Sequence, residues 1–152
     1  MEQHEELIRV LNEAVSLEYM AAIHYNQHST LLTGQNKLLY EHLFKESAQD
    51  ALGHAKKWGN RIVYLGGVAK VELGEIKQST DITEMLEMSL EIEQQALETY
   101  RRAHKICKHE PTLYMLEDQI MDEDRDVERL QKLLGRVNIA RALSKGTKRP
   151  AA

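Results

Sequence analysis

Three glutamates, Glu18, Glu93 and Glu123, stand in helical stripes whose other members are apolar or small. An ionised carboxylate buried without a partner is costly, so three facing one core call for a cation. Two more side chains join them by spacing. His54 lies three positions after Ala51, and Asp126 lies three positions after Glu123. Residues three apart on a helix share a face, so each pair can reach one point. A bound metal is the economical cation for such a set. Any one glutamate alone reads as well as a flanking residue that reaches solvent; three on separate stripes turn the reading towards metal.

The elements that must position these residues are four amphipathic helices. The apolar stripe of the first, roughly residues 4–32, runs Leu7, Leu11, Ala14, Glu18, Ala21, Tyr25, His28. The second, roughly 36–65, runs Phe44, Ala48, Ala51, Ala55, Trp58, Ile62, Leu65. The third, roughly 82–107, runs Ile82, Leu86, Ser89, Glu93, Ala96, Tyr100, Ala103, and the fourth, roughly 112–134, runs Leu113, Leu116, Ile120, Glu123, Val127, Leu130, Leu134. This 4-3 stepping keeps one stripe against neighbouring helices. Gly34, Gly66-Gly67 and Gly135 mark breaks, Asp81 with Glu84 reads as a capping-box start, and Pro111 fits a first helical turn. Between the second and third helices lie roughly fifteen residues, GGVAKVELGEIKQST, long for a bundle turn. That length crosses a bundle from end to end. Two hairpins and one crossover predict an all-α, ferritin-like four-helix bundle. A short fifth helix (NIARALSK) completes a domain over 1–145, and residues 146–152 form a flexible tail.

The halves repeat. Glu18 is followed seven residues later by Tyr25, and Glu93 seven later by Tyr100. A pseudo-twofold bundle that supplies one Glu from each of two helices and a Glu-x-x-His pair from each of the others is the pattern already described for ferritin-like di-metal proteins; the spacing here is matched to that pattern. Two positions depart from it: Ala51 replaces a Glu and Asp126 replaces a His. The candidate metal ligands are therefore Glu18, His54, Glu93, Glu123 and Asp126. With Glu123 bridging, one ion takes Glu18 and His54, and the other takes Glu93 and Asp126. Asp126, shorter and harder than His, favours oxygen-preferring ions. Asp50 cannot replace Ala51 without distortion, since it projects about 100° away around the helix.

Composition bounds the function. A net charge of −4 over 152 residues favours neither nucleic acid nor an anionic membrane as partner. No apolar run approaches the roughly 20 residues that span a bilayer, and the charged N-terminus lacks a signal-peptide core. The lone Cys107 cannot pair internally and reads as an inert buried thiol in a reducing compartment, so a cytoplasmic protein is expected.

At these residues the chain resembles the bacterioferritins. LEYMAAIHYNQHS is similar to their first-helix segment, ESAQDALGHAKKWGNRIVYLGG to the second, EMLEMSLEIEQQAL to the third and DEDRDVERLQKLL to the fourth. The resemblance implies a 24-subunit homo-oligomeric cage that oxidises Fe(II) and stores it as a ferric mineral, with haem shared across a twofold interface. It makes Glu18, His54, Glu93 and Glu123 ferroxidase-site ligands, holding one or two irons. Tyr25 becomes a catalytic, site-adjacent tyrosine able to lose an electron; its alternative is an aromatic core residue. The haem-ligating Met falls at Leu52, which cannot coordinate iron, so haem bound in the usual way is not expected.

Other chemistry-bearing residues read more plainly. His24 and His28, one turn apart, could chelate a metal but read as a polar face. His42, His104 and His109 read as solvated, as do Glu117, Asp118, Asp122 and Asp124, while Met85, Met88, Met115 and Met121 read as packing residues. Two functions compete: a ferroxidase and iron store with a weakened centre, or a non-catalytic shell, co-assembling with a competent subunit and binding one metal or none. The missing carboxylate at Ala51 is the feature that separates them.

Overall fold

The computed structural model describes residues 4–136; the expected fifth helix and the 146–152 tail lie outside the described residues. Four helices follow one another: α1 (Glu5–Leu31), α2 (Gly34–Tyr64), α3 (Ile82–Ile106) and α4 (Glu110–Leu133). α1 packs against α2 and α3, and α3 against α4. Among the described residues this is the expected pair of hairpins joined by a crossover, residues 65–81.

The apolar spacing explains which faces are inside. All the stripe positions are buried except Ile82, Leu113, Ile120 and Leu134, which are half-buried towards the bundle ends or edge. Local signals fix the helix ends. Asp81 caps α3 by accepting the Glu84 N–H at 2.9 Å. The expected reciprocal bond is replaced: the Glu84 carboxylate takes the Ser79 hydroxyl, and the Asp81 N–H goes to Ser79 Oγ at 3.0 Å. α2 ends in a Schellman turn, with Gly66 N–H on Val63 O and Gly67 N–H on Ile62 O. Gly66 takes φ +91°, open to glycine at little cost. At Gly67 a Cβ would sit 2.7 Å from Ile8 Cγ2, so only glycine lets the chain turn this close to α1.

The crossover is extended but not loose. It lies along α1, where Asn12 donates to Val68 O at 3.0 Å and accepts the Lys70 N–H at 2.7 Å. Ser16 Oγ accepts the Glu72 N–H at 3.0 Å, Gln27 bonds Gln78, and His28 accepts the Ser79 N–H at 3.1 Å. These bonds supply backbone partners that an isolated extended segment would find only in water.

Two apolar clusters divide the core. One holds Leu11, Val15, Trp58, Ile62, Ala96, Tyr100 and Leu116 with their neighbours. The other holds Ala21, Tyr25, Phe44, Ala51, Met85, Leu90 and Val127 with theirs. On three helices the step between clusters falls at a candidate ligand, Glu18 on α1, His54 on α2 and Glu123 on α4; on α3 the clusters interleave just past Glu93, at Ala96 and Leu97. The four helices thus place their polar residues in one layer between two greasy ones.

Candidate metal centre

Glu18, Glu93 and Glu123 are all buried, at 2%, 6% and 0% exposure, which settles the choice between core and solvent-reaching flank. They gather into two groups, Glu18/His54/Glu123 and Glu93/Glu123/Asp126, within each of which one donor atom per residue lies within 4.8 Å of the others. Glu123 belongs to both. All five candidates from the sequence are therefore brought together, each from the helix face its spacing requires. His54 Nδ1 stands 3.4 Å from Glu18 Oε1 and 3.7 Å from Glu123 Oε1. Asp126 is half-buried and pairs with Arg129 at 3.1 Å. Glu123 Oε2 is buried without a hydrogen-bond partner among the described residues.

The repeat of Glu and Tyr at seven-residue spacing has a structural meaning. The pairs cross between helices: Tyr100 on α3 donates to Glu18 on α1 at 2.8 Å, and Tyr25 on α1 donates to Glu93 on α3 at 3.0 Å. Both phenols are buried, which raises their pKa well above the ordinary value. The sequence reading singled out Tyr25 and passed over Tyr100 as a site residue, although the same spacing marks both.

Burial dominates the electrostatics of these side chains. Desolvation first, then repulsion from Glu93, pushes Glu18 up to about 8, and desolvation pushes Glu123 up to about 9. Glu93 and Asp126 are raised by the same cause. His54 is lowered by burial and then by Lys57, so its pairing with the carboxylates is an imidazole–carboxyl contact at neutral pH. A divalent ion supplies the charge this layer lacks, and binding it releases protons. Carboxylate oxygens with one imidazole nitrogen suit Fe(II) and its neighbours, and Glu123, whose Oε2 has no hydrogen-bond partner among the described residues, belongs to both groups.

Ala51 is buried at 3% and offers only a methyl group. Asp50 next to it is exposed on an unbroken α2, so it supplies no bridge. It lines an outer pocket of about 390 Å³ with His54, Asp122, Arg125, Asp126 and Arg129. His54 and Asp126 thereby link the buried layer to the bundle surface.

Several readings need correction. His24 and His28 are not a polar face: both are buried, at 4% and 0%. The Ser79 N–H donates to His28 Nε2 at 3.1 Å, and His28 Nδ1 stands 3.1 Å from His24 Nε2, which also faces Ser89 Oγ at 3.1 Å. The pair ties the crossover to α1 and falls in neither ligand group. Met121 is 62% exposed, pointing away from the stripe of Ile120 and Glu123 instead of packing. His104 and His109 are half-buried and bonded to Glu117 and Thr112. Cys107 is a buried thiol, as read. Missing from the sequence reading were Gln119, fully buried, and its partner Lys57; Trp58, its other partner, was read only as a core residue. Gln119 lies one turn before Glu123 on the same face, the only signal that marked it.

The comparisons agree with this geometry. The ferritin-like domain model matches residues 8–140, and the chain belongs to that family. It is 28% identical over 130 residues to the bacterial ferritin of Neisseria meningitidis, covering 84% of this chain and 82% of that protein. To the bacterioferritin of Streptomyces coelicolor it is 25% identical over 138 residues, 88% and 83% of the two chains. Among solved structures, a ferritin-like, diiron-carboxylate protein from Bacillus anthracis superposes with TM-score 0.83 at 30% identity, over 88% of this chain and 99% of that one. A bacterioferritin from Rhodobacter capsulatus, described with a metal-free dinuclear site and haem iron, gives TM-score 0.77 at 28% identity, over 86% and 84%. No helix among the described residues is long and apolar enough to cross a membrane.

Proposed function

We propose that this chain takes up and oxidises Fe(II) and stores iron within a homo-oligomeric cage, working with a weakened di-metal centre. One divalent ion is held by Glu18, His54 and Glu123, and a second, looser one by Glu93, Glu123 and Asp126. The observation that carries this is the pair of ligand groups sharing Glu123, whose buried Oε2 has no other partner among the described residues. The iron supplies the redox chemistry; the residues hold it and keep coordination positions open. Tyr25, bonded to Glu93, is the residue we assign to electron supply. The homo-oligomer and its 24-subunit cage are our reading from the chain's likeness to a bacterial ferritin and a bacterioferritin. Leu52 is 51% exposed and has no donor atom, so haem has no part in the proposal.

A second reading is favoured by one observation, the buried methyl of Ala51 where a bridge belongs. On that reading the chain is a non-catalytic shell, or the partner of a competent subunit, and holds one metal or none. Anomalous diffraction from iron-soaked crystals decides between the versions. Unequal occupancy is expected; two equally occupied ions about 3.5–4 Å apart would sink the asymmetric centre. Iron retained per subunit after mixing with Fe(II) in air tests storage, and retention of only a few irons favours the shell. Size-exclusion chromatography tests the cage.

A further inference from the structure

Gln119 has three hydrogen bonds and no exposure to solvent. Its Oε1 faces the indole N–H of Trp58 at 3.0 Å and the ammonium of Lys57, groups that can only donate. The orientation of the amide is therefore dictated by its neighbours: oxygen towards α2, nitrogen towards Glu123. Its Nε2 donates to Glu123 Oε1 at 3.1 Å. Glu123 Oε1 is thus occupied and aimed, while Oε2 is left bare in the buried layer.

We propose that Gln119, locked by Trp58 and Lys57, is the positioning residue that sets the orientation of Glu123 and so compensates for the bridge missing at Ala51; this rests on the metal-binding reading above. Where two carboxylates bridge, each limits the freedom of the pair of ions. Here one carboxylate serves both ligand groups, and rotation of its carboxyl would disturb both at once. An outer hydrogen bond that fixes a ligand is a common way to hold metal affinity. The Lys57–Gln119 bond also draws electron density along the amide, which strengthens the N–H donated to Glu123.

The test is Zn(II) titration of the metal-free full chain, followed by calorimetry and by emission of Trp58, the sole tryptophan. Zn(II) is redox-inert and not paramagnetic, so an emission change reports the indole hydrogen bond and not quenching. In the unaltered chain, binding is expected to shift Trp58 emission through Gln119. Gln119→Met keeps the bulk but removes the donor. It is expected to weaken the tighter Zn(II) site by about 10–100-fold, with the emission shift absent at saturation. Lys57→Met serves where Gln119→Met folds poorly, since Lys57 is half-buried and its loss leaves the amide oxygen held by Trp58 alone. It also separates positioning from simple charge: removing a positive charge near a cation should tighten binding, whereas loss of positioning weakens it several-fold. Zn(II) binding as tight as in the unaltered chain, or tighter, in both variants overturns this inference alone. No Zn(II) binding by the unaltered chain overturns the metal-binding reading and this inference with it.

Discussion

The two ligand groups differ more than their shared scaffold suggests. Glu18/His54/Glu123 combines two buried carboxylates with a nitrogen donor. Glu93/Glu123/Asp126 contains only carboxylates, and its Asp126 is half-buried and already paired with Arg129. The surroundings, in contrast, are nearly symmetric: Glu18 and Glu93 each accept a bond from a buried tyrosine on the other's helix. A pseudo-twofold frame has kept its supports while the ligands at the third positions of α2 and α4 have diverged. The frame decides where ions can sit; the donors decide how firmly.

Breaking the shared ligand should have the largest effect. Glu123→Ala is expected to abolish binding in both groups, a fall of more than about a hundredfold in Zn(II) affinity by calorimetry. Survival of one tight site would mean the groups do not share Glu123. His54→Ala should remove only the tighter ion, and Asp126→Ala only the looser one; the two variants should leave opposite sites in anomalous maps. If Ala51→Glu restores the bridge, the second ion should bind about tenfold more tightly or better and Fe(II) oxidation should accelerate. The new side chain also crowds a buried position, so a loss of about 1–3 kcal/mol in stability is expected, measured by thermal unfolding.

A smaller effect separates the frame from the ligands by pH. The folded-state pKa values of Glu18 and Glu123 rise from 4.5 to about 8 and about 9, so the metal-free fold binds protons that the unfolded chain releases. Stability from these groups is complete below 4.5 and is lost as pH rises towards 8–9. Scanning calorimetry of the metal-free protein should show a melting temperature that falls by several degrees over this range, at roughly 2–4 °C per kcal/mol. Saturating divalent metal should restore it. A flat profile would show that the layer is wetter than its burial implies. The mildest change is Tyr25→Phe, expected to leave Zn(II) affinity at Glu18/His54/Glu123 unchanged while slowing Fe(II) oxidation, since Tyr25 bonds Glu93, which lies outside that group. An unchanged oxidation rate would return Tyr25 to the core.

Much of this was legible in the residues because helical periodicity is a local property. The spacing Glu18–Tyr25 and Glu93–Tyr100 placed each pair on one face, and the glycine and Asp81 signals fixed the helix ends within a few residues. What spacing does not encode is which face meets which. Tyr25 reaches across to Glu93 and not to Glu18 on its own helix, a fact of interhelical packing. His24 and His28 looked like a polar face because their partner, the Ser79 N–H, belongs to a segment without periodicity. Gln119 escaped notice because a glutamine carries no charge to balance, and its importance lies wholly in Trp58, Lys57 and Glu123.

The seating of the crossover on α1 has one further consequence. Its contacts fall at Ile8, Asn12, Ser16 and Met20, one per helical turn, so the segment follows the pitch of α1 like a rack along a pinion. Its length is thereby quantised. A residue inserted between Gly67 and Gly74 puts the Asn12 and Ser16 teeth out of step. The span between the two hairpins is a measured rule that sets how far one hairpin slides past the other, and with it whether Glu18 and Glu93 lie level.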